Sequence, residues 1–196
     1  TVASAQIAPN WQVRGGLFHW DNRTSRNVSE LYRNVQPDGS AQLTVVANKD
    51  QVAKSTSGEV RSSYSVIEGN RRHTLHLALR GRDTMRRFGG ADVRNLGAAQ
   101  IGEDSDIDQP DFAFGPQTRD DIRQLTGGIG YEGRWLNVGE LTLGLQKTDY
   151  RKDSDIPGLA TVITKDDPWL VNAALAVHLT SKLVAYAGYT TGLEES

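Results

Sequence analysis

Thr74-Leu75-His76-Leu77-Ala78-Leu79-Arg80 is the stretch on which the fold class turns. Its leucines recur at every second position, with His76 and Arg80 between them. On a strand that spacing puts the leucines on one face and the polar residues on the other, whereas a helix would scatter them. Glu140-Leu141-Thr142-Leu143-Gly144-Leu145-Gln146 repeats the design, and Val171, Ala173, Leu175, Val177 and Leu179 alternate with Asn172, Ala174, Ala176 and His178. Trp11, Val13 and Leu17 alternate less cleanly with Gln12, Arg14 and Phe18. A helix over 170–179 is the local rival, because Ala-Ala-Leu-Ala has high helix propensity.

Composition narrows the class further. The 196 residues (21.5 kDa) suffice for one ordinary domain or a piece of something larger. With 23% charged residues and a net charge of −2, the chain carries no nucleic-acid footprint. It has no cysteine, which excludes disulfide frameworks, thiol catalysis, iron–sulfur clusters and Cys-ligated zinc. Mean hydropathy is −0.50, and no run approaches the ~18 apolar residues of a membrane helix. The nearest, 170–189, is interrupted by Asn172, His178, Ser181 and Lys182. A helical membrane protein is excluded. A membrane β-barrel is not, since its water-facing half keeps hydropathy low. No basic and apolar leader follows Thr1, and the last residues read as the middle of a loop, so a fragment is expected.

Nine strands are predicted, over 11–20, 28–36, 41–48, 57–67, 73–83, 121–132, 139–150, 168–179 and 183–191. The connections 21–27, 49–56, 84–120 and 151–167 are long. Those at 37–40, 68–72, 133–138 and 180–182 are short, and long and short alternate throughout. Gln36-Pro37-Asp38-Gly39-Ser40 and Glu68-Gly69-Asn70-Arg71 carry turn chemistry. A soluble sandwich supplies no reason for such alternation. A transmembrane barrel does, with short turns on the periplasmic side and long loops outside. Trp20, Tyr150 and Trp169 would then form an outer aromatic girdle, with Tyr131 and Trp135 in a periplasmic one.

On these residues the sequence resembles the barrel of TonB-dependent outer-membrane receptors of the siderophore type. The resemblance is carried by Gly15-Gly16-Leu17-Phe18, by Ser57-Gly58-Glu59-Val60-Arg61 and by the run from Pro110 to Arg119. Gly139 to Lys147 adds to it, and Leu183 to Glu194, a strand rising into a Gly-Leu-Glu loop, is most specific. The resemblance implies an all-β, antiparallel transmembrane barrel in the outer membrane of a Gram-negative bacterium. Such receptors close with about 22 strands around a plugged lumen. Residues 1–196 would thus be part of one barrel domain, with the plug and both barrel ends absent. No TonB box or plug motif is present to carry over.

Other motifs dissolve on inspection. Gly128 to Gly133 matches G-x-G-x-x-G but lies inside a strand, not between strand and helix. Glu103 to Asp108 alternates aspartates without the glycine and closing glutamate of a calcium loop. His73 and His76, three apart on a strand, face opposite ways and cannot share a metal. No catalytic constellation and no metal site stands out, so an enzyme is not expected.

Arginine is different. It outnumbers lysine 16 to 6, and half of the arginines fall between Arg61 and Arg94. The alternation leaves His76, Arg80 and Arg82 on the lumen side as candidate substrate-binding residues. Guanidinium forks suit an anionic ligand or plug carboxylates, and Arg86 and Arg87 at the outer rim suit lipopolysaccharide phosphates.

The implied function is capture and energised import of a scarce ligand, a ferric siderophore or similar small chelate. The implied partners are that ligand, the TonB complex through a plug, and outer-membrane lipid and lipopolysaccharide. The wall itself would bind no cofactor and no nucleic acid. Two alternatives stand beside this reading: a passive channel of porin type, and a soluble β-sandwich binding module.

Overall fold

The computed structural model describes residues 1–103 and 108–193. The middle of the acidic 103–108 loop and the Glu194 end of the last motif lie outside the described residues. Within them the chain is one antiparallel sheet without a helix: β1 (Val2–Ala8), β2 (Trp11–Arg33), β3 (Ser40–Glu68), β4 (Arg71–Phe88), β5 (Asp92–Gln100), β6 (Thr118–Trp135), β7 (Gly139–Asp155), β8 (Val162–Asp166), β9 (Trp169–Thr180) and β10 (Leu183–Thr190). The order across it is β1-β2-β3-β4-β6-β7-β9-β10.

β5 and β8 sit off this path because they prolong strands already in it. β5 pairs with β3 in the register of β4, and β8 pairs with β7 in the register of β9. Gly89 and Gly90, at φ 83° and 67°, break the first line. Pro168, which has no N–H to donate, interrupts the second. The helical rival over 170–179 gives way to β9, because residues 170–178 each have a ladder partner on β7 or β10.

The nine predicted strands need three corrections. Residues 21–27 and 49–56 are not loops. They pair with one another, from Asp21↔Lys54 to Asn27↔Asn48, which fuses four predicted strands into the long β2–β3 hairpin. Once they are fused, the turn at 37–40 falls at the end where β4–β6 and β7–β9 make their long connections, opposite the short 69–70 turn. Residues 2–8, 92–100 and 162–166, assigned to no strand from sequence, are β1, β5 and β8. Alternation of short and long connections survives these changes, with 9–10, 69–70, 136–138 and 181–182 short.

Register lines up the leucine stripes of separate strands into rungs. One rung reads Val13, Ser62, Leu77, Ile129, Leu145, Val171. The rung below it reads Trp11, Tyr64, Leu75, Tyr131, Leu143, Ala173, Tyr189, an aromatic row near the short-turn end. His73, on this same face, stacks with Tyr131 and meets the edge of Trp135 at 5.5 Å. The apolar rungs run from Trp135–Gly139–Val177 up to Leu17–Gly58–Gly81–Leu125. At ~3.3 Å per residue and a tilt of ~45°, that height is about 25 Å, the apolar band of an outer-membrane barrel. The side chains stay open to the surroundings, Leu17 by 62% and Leu77 by 53%. A soluble sandwich would have buried this face against a second sheet. Lys147, near the upper edge, reaches away from the band to Asp167 (3.2 Å to its carboxylate) and across the Trp169 ring.

Two of the three aromatics of the predicted outer girdle are misplaced. Trp169 lies on the apolar face, but Trp20 and Tyr150 stand on alternate rungs, on the polar face. Tyr150 is 4% exposed there. Their height was right and their face wrong: Trp20 is three residues from Leu17 and Tyr150 five from Leu145 on the same strands, so alternation itself sets them opposite the leucines.

Candidate functional site

The polar face between the Arg72 and Arg82 rungs carries six arginines, at 14, 61, 72, 80, 82 and 134, against four carboxylates, those of Glu59, Glu132, Glu140 and Asp166. His76, Arg80 and Arg82 lie together on it, at consecutive same-face positions of β4. Ladder pairing brings Ser63, Glu59 and Ser57 opposite them on β3, and Gly130, Thr126 and Gln124 on β6.

Arg80 lines three of the recesses on this face, and Glu59 borders two of those three. The lower of these two, about 210 Å³, is bounded by Glu59, Arg61, His76, Arg80, Glu132 and Gln146. The upper, about 530 Å³, is bounded by Phe18, Ser57, Glu59, Arg80, Arg82 and Gln124. His76 Nδ1 lies 2.8 Å from the Ser63 hydroxyl. Its Nε2 faces Glu132 at 3.3 Å, an ion-pair distance with an angle unsuited to a hydrogen bond. Arg61 is held by Glu59 at 3.0 Å, and Arg134 by Glu140 at 2.8 Å.

The glycines of the G-x-G-x-x-G match serve packing. Gln146 lies over Gly128, and the Trp135 ring and Tyr131 hydroxyl lie over Gly133, where a Cβ would collide with them. Neighbouring side chains, not a dinucleotide, occupy the space. His73 and His76 are on opposite faces, and no cluster of three or more His, Asp or Glu residues poised for a metal occurs among the described residues.

Sequence reasoning missed Glu59, Glu132, Arg61 and Phe18 as neighbours of the Arg80 site. Glu132 was legible in principle, being at period 2 from Gly128 and Gly130. The other three come from strands whose register sequence alone does not specify.

Above the band, residues 112–117 fold back over the β2–β3 hairpin. Asp92 Oδ2 accepts the Ala113 N–H at 2.7 Å and Arg94 Nε at 2.8 Å. Arg26 and Lys49, cross-strand partners, lie under the rings of Phe112 and Phe114. The Ala113 N–H first, then Arg94, hold the Asp92 carboxyl below its ordinary range. Leu43, Val45 and Ala47 are buried on this same side of β3.

No protein-family model matches the sequence, and no curated protein matches it. Solved structures do. FpvA of P. aeruginosa, in its iron–pyoverdine complex, aligns with a TM-score of 0.71 over 95% of this chain at 20% identity. The chain has the fold of a TonB-dependent receptor barrel. BauA, the ferric preacinetobactin receptor of Acinetobacter baumannii, aligns at TM-score 0.69, with 12% identity over 96% of the chain. The ferric citrate transporter FecA aligns at 0.65, with 12% identity over 95%. The chain spans 25%, 29% and 26% of the lengths of these three. In a TonB-dependent receptor barrel the polar face is the lumen wall and the leucine rungs face outward.

Proposed function

We propose that residues 1–196 belong to the barrel domain of a longer outer-membrane receptor that captures a ferric siderophore or similar chelate and imports it with TonB-coupled energy. The carrying observation is the arginine excess on the polar face around Arg80, on a fold shared with receptors of ferric chelates. Six guanidinium groups against four carboxylates leave an excess of donors for an anionic ligand or for plug carboxylates. Arg80 and Arg82, with Phe18 beside them, line the recess nearer the outer mouth and are the proposed contacts. His76, engaged with Ser63 and Glu132, anchors the wall beneath.

The test is uptake of iron-loaded chelates by cells whose only receptor is the full-length protein, with and without TonB. Import of one chelate class that stops without TonB is expected. TonB-independent leakage of unrelated small solutes would replace this reading with the passive channel.

A further inference from the structure

The cations of the polar face stand in a file that runs its whole height. Arg86 occupies the uppermost of these rungs, and Lys152 the next, in line with Thr84. Arg82 and Arg80 follow on β4, then Arg14 and Arg61 in line with Ala78, then His76, and at the foot Arg72 beside Arg134. Among the described residues only the Thr74 rung between them lacks such a group, and it carries the hydroxyls of Ser65, Thr74 and Thr142 instead. Successive rungs lie ~7 Å apart along the strand. A ligand wider than that keeps hold of one rung while it meets the next.

Three glutamates temper the lower half of the file. Glu59 engages Arg61 at 3.0 Å, Glu140 engages Arg134 at 2.8 Å, and Glu132 faces His76 at 3.3 Å. Arg14 and Arg72 make no hydrogen bond or ion pair among the described residues. Arg14 stands directly opposite Arg61, and like charges across a ladder repel unless an anion joins them. Arg14 and Arg72 border a recess of about 970 Å³ at the short-turn end, with Arg61, Gln12, Ser63 and Thr74. It is larger than any recess beside Arg80.

We propose that Arg14, Arg61 and Arg72 form a transit station for an anionic ferric chelate, below the capture site at Arg80 and Arg82. Passage of an ion requires sites that attract it enough to enter, yet are numerous and weak enough to release it. The carboxylate-paired cations of the lower rungs supply weak sites. The unpaired Arg14 and Arg72 draw the chelate on from one to the next. The inference rests on the receptor reading.

The experiment separates capture from passage, in cells whose only iron-chelate receptor is the full-length protein. The probes are ferric citrate, a ferric tricatecholate and a neutral ferric trihydroxamate. Surface binding is read in cells lacking TonB, and initial import rate in cells that have it. Import of an anionic probe is expected. Arg14→Gln with Arg72→Gln should leave binding of that probe within about twofold and slow its import at least about tenfold, because charge-assisted contacts are lost only after capture. If the pair disturbs heat-modifiable migration, Arg72→Gln alone should slow import, whereas Arg14→Lys, which keeps the charge, should not. Arg23→Gln, on the outward face, should change neither readout. Import of the neutral probe alone, import insensitive to the double substitution, or binding lost in proportion to import would overturn the proposal. So would TonB-independent entry of unrelated solutes into the double variant, which would make Arg14 and Arg72 anchors of a plug. A wild-type receptor that imports none of the probes would instead remove the receptor reading beneath it.

Discussion

Leu77 and Ala78 are adjacent in the chain and face opposite surroundings, so they form the sharpest single-residue contrast in the protein. Leu77 stands in the middle of the apolar band, between Ser62 and Ile129, and Ala78 lies on the polar face between Arg61 and Gly128. A charge near the midplane of a lipid-facing strand costs ~2–4 kcal/mol, against far less on the wet side. Leu77→Arg should therefore block folding of the full-length barrel into bilayers, and Ala78→Arg should be tolerated. Equal yields of heat-modifiable barrel would remove the lipid-facing assignment of β4. Asp92 provides a second residue-scale test. Its carboxyl is held below the ordinary range, so the stabilisation is complete above the unfolded value near 4 and is lost as pH falls through the lower folded value. Limited proteolysis within residues 110–117 should stay slow from pH 7 down to about 5 and accelerate only in stronger acid. Asp92→Ala should make it fast at every pH, because the Ala113 N–H then has no acceptor.

At the scale of elements, the β2–β3 hairpin decides which way up the sheet is read. Its middle, 21–27 against 49–56, is polar on both faces, so no alternation marks it as strand. What makes it strand is the continuous ladder between the two segments, a tertiary pairing that overrides weak local propensity. The consequence is that the 37–40 turn lies with the long loops. Val35→Cys should label with an impermeant thiol reagent in intact cells, and Leu136→Cys, in a short turn at the opposite end, should not. The chain has no cysteine of its own to blur the readout. Labelling at Leu136 and protection at Val35 would invert the topology. Arginine–aspartate pairs two apart stiffen the same upper region. Arg23 with Asp21, and Arg119 with Asp121, shift each arginine upward through the shared hydrogen bond, and Asp21 falls for the same reason.

For the whole molecule, the sheet ends at β1 and β10, and neither edge has a further partner among the described residues. In hydrocarbon every backbone N–H and C=O needs an internal partner, so strands can cross only in a closed barrel. Residues 1–196 expressed alone should aggregate or stay unfolded in detergent and bind no chelate. A sharp heat-modifiable band from this stretch alone would point to a small complete barrel and revive the channel alternative. Period-2 alternation in 74–80, 140–146 and 171–179 was sufficient, by itself, to establish an all-β chain with one apolar face. The reason is local, since successive side chains of a strand must point opposite ways. That same alternation put His76, Arg80 and Arg82 on one side. Sequence did not say which residues stand beside them, or that the polar stretches 21–27 and 49–56 are strand. Those depend on register between strands, where a slip of one residue exchanges the faces. Only the paired sheet settles that register, because the hydrogen bonds that fix it join residues far apart in the chain.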